Sequence, residues 1–214
     1  TDLERGLLQA FAHSGCPDFE HYHAQLSQNH TGSQEWEQLI AHLTVGETYF
    51  FRDRAQFEAL QQHILPEIVA RKQSLGHQIR IWSVGCASGE EPYSLSMLMR
   101  EILPDHADWH ITILASDINR EALAKARAGL YGAWSFREKG WERMQQRYFR
   151  RQEPLWEIAP QLREAVTFSY INLAEDAYPS LSNNTAAFDL IVCRNVTIYF
   201  TADLVQRVIE RLYD

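Results

Sequence analysis

From residue 78 onward the apolar residues change period, and that change restricts the fold more than any other feature of the chain. QIRIWSV (78–84) reads as a strand and EPYSLSMLMREIL (91–103) as a helix. HITILAS (110–116) is strand-like and REALAKARAGL (120–130) helical. EAVTFSYI and FDLIVCR read as two more strands, and ADLVQRVIERLYD as a closing helix. Strands alternating with helices predict a parallel sheet with crossover helices. Between residues 145 and 170 the short pieces LWEIA and AVTFSYI predict a small antiparallel insert.

Before residue 74 the grammar is helical. Leu3, Leu7, Leu8 and Phe11 share a helical spacing. Pro17-Asp18 opens a second pattern with Phe19, Tyr22 and Leu26, and NHTGSQ (29–34) reads as a loop. Trp36, Leu39, Ile40 and Leu43 form a third stripe. TVGETYFFRD (44–53) is expected to be irregular. Residues 54–73 return to helix, with Phe57, Leu60, Ile64, Ile68 and Val69 on one face. Two units follow: a helical unit with a linker helix over 1–73, and an α/β domain over 74–214. No repeat or low-complexity tract interrupts them.

Composition excludes some functions. The chain has 214 residues and a formal net charge of -8, against a general nucleic-acid binder, which needs a basic face. Three widely spaced cysteines, Cys16, Cys86 and Cys193, suggest a reducing, cytoplasmic compartment rather than a disulfide framework. No signal peptide, membrane span, CxxC, HExxH or GxSxG pattern is present. Metal binding is not expected. Both ends read as fragment boundaries.

The chemistry concentrates at IWSVGCASGEEPYS (81–94). In open α/β sheets ligands bind at the carboxyl ends of strands, and Gly85 and Gly89 permit close backbone approach. The GxxxG spacing fits neither a dinucleotide nor a P-loop fingerprint. Glu90 and Glu91 stand where a phosphate site carries no acids. They suit the helix dipole, or a ligand bearing positive charge and hydroxyls. S-adenosylmethionine, with its sulfonium, ammonium and ribose diol, is such a ligand. Asp117 ends the second strand, where an acid accepts ribose hydroxyls or caps the following helix. Arg194, Asn195 and Tyr199 follow an apolar strand, at the ligand edge or in a solvated loop. Arg52 suits a bidentate carboxylate fork or a surface salt bridge.

Together these segments resemble the CheR family, the S-adenosylmethionine-dependent methyltransferases of bacterial chemoreceptors. The matching pieces are LTVGETYFFRD (43–53), IWSVGCASGEEPYSL (81–95), ILASDINREALAKARAGLYG (113–132), RYF (147–149), VTFSYINL (166–173) and FDLIVCRNVTIYF (188–200). The resemblance implies a helical N-terminal domain before a doubly wound, Rossmann-like methyltransferase sheet with a small antiparallel β insert. It implies a cofactor site of Gly46, Thr48, Arg52, Gly85, Glu91, Asp117, Asn172, Leu173, Arg194 and Asn195. Arg52, Arg194 and Tyr199 would be catalytic. The expected reaction methylates glutamates in the cytoplasmic domain of a chemoreceptor or receptor-like protein, leaving S-adenosylhomocysteine. A cofactor sensor, or a methyltransferase for another substrate, is the alternative.

Three departures from the family pattern stand out. Gly46 occupies a position that is Asn in some members. The insert segment YFRRQEPLWEIAPQLREAV has no glycine, whereas members tethered to a receptor-tail pentapeptide carry a GxG loop there. Independence of that tether is therefore expected. Residues 1–43 hold one basic residue, Arg5, where the family has a basic helix, and the C-terminal PGG hairpin is absent.

Overall fold

The computed structural model describes residues 2–29, 32–103, 108–175, 177–182 and 184–213. His30 and Thr31 of the expected NHTGSQ loop, and Asp214 of the closing helical pattern, lie outside them.

Three helices open the chain: α1 (Asp2–Ser14), α2 (Phe19–Gln28) and α3 (Gln34–Leu43). Asp18 starts α2 by accepting the His21 amide at 2.9 Å, which satisfies one of the orphan donors of the first turn. Ala10, Tyr22 and Leu39 form a small core with Phe11, Leu26 and Trp36. The leucine stripe expected to face that core does not. Leu3 and Leu8 are 66% and 55% exposed, and Leu7 is also exposed. Gly6 and Ala10 form the contact face instead: a Cβ on Gly6 would stand 2.6 Å from the His42 carbonyl oxygen. Close backbone approach through small residues decides which side of α1 is buried.

The linker helix is broken by its own geometry. α4 (Arg54–Ala59) runs into a π-helical turn (Leu60–Ile64) and then α5 (Leu65–Lys72). The wider turn adds a residue to the cycle, so the buried face passes from Phe57 and Leu60 to Leu65 and Ile68. Ile64, expected on that face, is 41% exposed, while Leu65 is completely buried. Phe57, Leu65 and Ile68 join the main core, so this linker packs on the sheet.

β1 (Gln78–Val84), α6 (Glu90–Ile102), β2 (His110–Asp117) and α7 (Arg120–Ala128) follow. β3 (Leu130–Tyr131), α8 (Glu142–Tyr148), β4 (Phe149–Gln152), β5 (Leu155–Ile158) and α9 (Pro160–Glu164) come next. β6 (Val166–Tyr170), β7 (Leu190–Cys193) and α10 (Ala202–Tyr213) complete the described chain. The main sheet is parallel, in the order β6-β2-β1-β7. Its alternating residues feed two cores. Ile79, Ile81, Ile113 and Ala115 pack with α6, and Trp82, Val84 and Leu114 pack beneath Val208 of α10.

The antiparallel sheet is β3-β5-β4. The insert assigned to about 145–170 therefore needs correcting at both ends. Leu130 and Tyr131 contribute a strand from upstream, whereas Val166–Tyr170 pairs parallel with β2 in the main sheet. α9 supplies the crossover that turns the chain back in line, and the Ile113 amide reaches the Ala165 carbonyl at 3.3 Å.

The register shift at the π turn is testable. Leu65→Ala should cost about 2–5 kcal/mol of stability and Ile64→Ala less than about 0.5 kcal/mol, read from urea unfolding curves. A uniform α-helix would give the reverse order.

Candidate functional site

Parallel pairing places the carboxyl ends of β1, β2, β6 and β7 on one edge, the position where open α/β sheets bind ligands. A cavity of about 250 Å³ lies there. Residues 85–87 and Glu91 line it after β1, residues 116–119 after β2, 171–174 after β6, and 194–196 with Tyr199 and Phe200 after β7. The irregular segment 44–48 and Arg52 form the remaining wall. Gly46, Thr48, Arg52, Gly85, Glu91, Asp117, Asn172, Leu173, Arg194, Asn195 and Tyr199 all border this one cavity.

The backbone is strained around it. Phe51, Asp53, Ala87 and Asn195 have φ of 56°, 61°, 46° and 57°, the left-handed region that costs side-chain-bearing residues of order 1–3 kcal/mol each. Gly85 has φ +70°, and a Cβ there would stand 2.2 Å from Val196 Cγ2. The close approach at this glycine is made by Val196 from the β7 loop, while the Gly85 backbone still borders the cavity.

Asp117 receives two backbone donors, Ala87 N–H on Oδ2 and Asn119 N–H on Oδ1, both at 2.8 Å. Each oxygen keeps a lone pair free for a further donor. Burial raises its carboxyl, and the Asn119 and Ala87 amides offset part of that rise. Asp117 does not cap α7. Asn119 does, accepting the Ala122 amide at 3.0 Å. The Asn119 side chain also donates to Thr44 Oγ1 at 2.8 Å, tying α7 to the start of the irregular segment.

Glu91 is the most strongly perturbed acid bordering the cavity. Its side chain is 14% exposed, and burial pushes its carboxyl up to about 7. Ser83 Oγ donates to Oε1 at 2.7 Å, and Arg194 Nη1 stands 3.2 Å from Oε2. Arg194 is heavily committed: Nη2 also donates to the Arg52 carbonyl at 2.6 Å and to Asp53 Oδ2 at 2.8 Å. Arg52 is tied by one nitrogen, Nη1, to the Glu47 carbonyl. Tyr199 is 61% exposed at the mouth.

Sequence reasoning missed Ser83, Asp53, Thr44 and Asn119. Asp53, Thr44 and Asn119 act by hydrogen bonds between segments distant in sequence, which no local spacing reveals, whereas Ser83 bonds Glu91 across the strand-to-helix turn of the 81–94 stretch itself. Among the described residues no group of three or more His, Cys, Asp and Glu side chains is placed to hold a metal. No described helix is long and apolar enough to cross a membrane.

A parallel α/β sheet with acids, not a phosphate cradle, at the ends of its first two strands has the form of an S-adenosylmethionine-dependent methyltransferase domain. Similarity gives the family. The family model described as CheR methyltransferase, SAM binding domain matches residues 46–214, and the chain belongs to the CheR methyltransferase family. It is 38% identical over 182 residues to Chemotaxis protein methyltransferase 1 of Pseudomonas aeruginosa, covering 83% of this chain and 64% of that protein. It is 33% identical over 212 residues to Chemotaxis protein methyltransferase 2 of Vibrio cholerae, covering 99% and 72%. Against the Chemotaxis protein methyltransferase of Escherichia coli it is 35% identical over 210 residues, covering 96% and 68%. The chain spans 64% to 72% of the length of these relatives.

The Glu91 environment has a consequence for stability. A carboxyl whose folded pKa is raised binds more protons folded than unfolded, so it opposes folding once it must ionise. Ligand-free stability should fall as pH rises from about 4.5 to about 7, and Glu91→Gln should remove much of that slope. Glu90 and Asp117 shift in the same direction and leave a residual slope. Denaturant unfolding across that pH range measures both.

Proposed function

We propose that the chain binds S-adenosylmethionine and transfers its methyl group to glutamate side chains in the cytoplasmic domain of a chemoreceptor or receptor-like signalling protein. The products are γ-glutamyl methyl esters and S-adenosylhomocysteine. The protein acts in the cytoplasm. The observation that carries the reading is the acceptor set: two half-buried carboxylates, Glu91 and Asp117, at the ends of adjacent strands, with no lysine among the described lining residues. Such a set complements an ammonium and a ribose diol and repels phosphate.

Roles follow from placement. Asp117 accepts the ribose hydroxyls with its free lone pairs. Glu91 faces the cationic end of the cofactor, and the backbone at Gly46, Thr48 and Gly85 closes around it. Asn172 and Leu173 flank the adenine. When bound, the cofactor supplies an electrophilic methyl carbon on a sulfonium.

The acceptor needs no general base. A glutamate side chain ordinarily titrates at about pH 4.3, so it is already an anionic nucleophile at neutral pH. The chain has only to hold that carboxylate in line with the methyl carbon and keep water away, because the two opposite charges cancel during transfer. Arg52, tied through one nitrogen only, holds the incoming carboxylate. Tyr199 borders the same point. Arg194 keeps Glu91 and the Arg52 backbone in place, with Asn195 beside it.

The β4–β5 turn is Glu153-Pro154, without glycine, which supports independence of a receptor-tail pentapeptide. The proposed units are a helical unit with its linker helix over 1–73 and a methyltransferase domain over 74–214, and the cofactor site draws Gly46, Thr48 and Arg52 from the first and its other residues from the second.

Calorimetric titration with S-adenosylhomocysteine tests the site. Asp117→Ala should weaken binding about 10- to 100-fold, the loss of charge-assisted hydrogen bonds worth about 1.5–3 kcal/mol. Arg52→Ala should lower methyl transfer to a receptor cytoplasmic domain about 100-fold, with a much smaller effect on that binding. Transfer is read as base-labile methyl ester. A folded chain that binds no S-adenosylhomocysteine would sink the reading.

A further inference from the structure

Glu90 is 3% exposed, and it does not border the cavity. It points to the short 3-10 turn Ala133–Phe136, where Ser135 Oγ donates to its Oε1 at 2.9 Å. Ser88 Oγ holds its other oxygen at 2.7 Å. The turn is thus fastened to the first turn of α6. From it the Ser135 carbonyl accepts the Phe50 amide at 2.9 Å, and Phe136 stacks on Phe50 with ring centres 5.0 Å apart. Arg137 follows directly. Its guanidinium lies 3.6 Å from the centre of the Tyr49 ring and 4.3 Å from that of Trp134, and Nη2 pairs with Glu47 Oε1 at 3.0 Å. Arg137 does not line the cavity, yet the residues it grips lie in or beside the wall segment 44–48.

That segment has no helix or strand of its own, and Val45, Gly46 and Glu47 are exposed. A wall without regular hydrogen bonding holds its shape only through outside contacts. Thr44 is held by Asn119, the Glu47 carbonyl by Arg52, and the Glu47 carboxylate and the Tyr49 ring by Arg137, the one of these that reaches the segment from the 133–137 turn.

We propose that Arg137 is a positioning residue that clamps segment 44–50 over the bound cofactor, with Glu90 anchoring the bracket it extends from. The clamp rests on the reading of the cavity as the S-adenosylmethionine site. It acts on retention: the cofactor leaves when the wall opens, and Arg137 keeps the wall shut.

The test compares the chain with its Arg137→Ala, Arg137→Lys and Glu47→Gln variants. Dissociation of S-adenosylhomocysteine is followed by stopped flow, and amide hydrogen exchange over 45–50 is measured without ligand. Arg137→Ala should raise the dissociation rate about tenfold and speed exchange in that segment, while the unfolding midpoint changes little. Arg137→Lys keeps the charge for Glu47 but loses the plane that lies on Tyr49, so its rise should be smaller. In the Glu47→Gln background Arg137→Ala should add less than it does alone, because the two share one contact. Dissociation and exchange within twofold of the unsubstituted chain, in an Arg137→Ala variant that folds, would overturn the clamp and leave the cofactor site intact. If Arg137→Ala does not fold, the Lys and Gln variants carry the same decision. Failure of the unsubstituted chain to bind S-adenosylhomocysteine removes the site reading and the clamp together.

Discussion

The contact between Glu91 and Arg194 joins three of the segments that line the cavity. A carboxylate 14% exposed cannot stay charged without partners, since desolvation costs several kcal/mol. Its partners come from three places. Ser83 arrives at the end of β1, Arg194 just beyond β7, and Asp53 with the Arg52 carbonyl from the segment before α4, through the same guanidinium. One ion-pair network therefore joins the ends of β1 and its edge neighbour β7 to the wall beside them. The strained backbone at Phe51, Asp53 and Asn195 lies beside it, where tight packing over-determines each conformation.

Two neighbouring acids at the start of α6 serve different ends because of helix geometry. Successive residues on a helix point about 100° apart. Glu91 meets Ser83 and Arg194 at the cavity, and Glu90 meets Ser88 and Ser135 on the opposite flank. Burial raises both carboxyls. A single acid suffices to complement the helix dipole. The pair is explained by two separate sets of partners: one acid set toward the cavity, one set to fasten the 133–136 turn.

The strands and helices of the main sheet were legible because they are buried on both faces and bounded by turn residues, so period and length agree. What could not be read depended on contacts across the fold. Of the α1 stripe Phe11 packs on the small core but the leucines do not, because Gly6 and Ala10, weak in any hydrophobic count, permit the closest approach to α3. Ile64 was misplaced because a π turn shifts register without a sequence mark. Val166–Tyr170 looked like part of the insert because short parallel and antiparallel strands share one composition. The site was legible mainly through family resemblance. Residue pattern alone left Asp117 undecided between ligand and cap, and the Asn119 side chain resolves the cap.

Charge balance adds a last constraint on the proposed reaction. Glu91 and Asp117 at the cofactor end would repel an arriving glutamate if their field reached the mouth. Arg194 is absorbed by Glu91 and Asp53, so it screens that field but offers the substrate little. Among the described lining residues Arg52 is then the remaining arginine, and it stands on the same irregular segment as the wall proposed to cover the cofactor. In the proposed clamp, closing that wall would also present the guanidinium. A cofactor held by a shut wall and a carboxylate drawn to Arg52 are thus coupled through residues 44–53. This gives a physical reason for building that part of the site on a segment braced from outside rather than on a strand or helix.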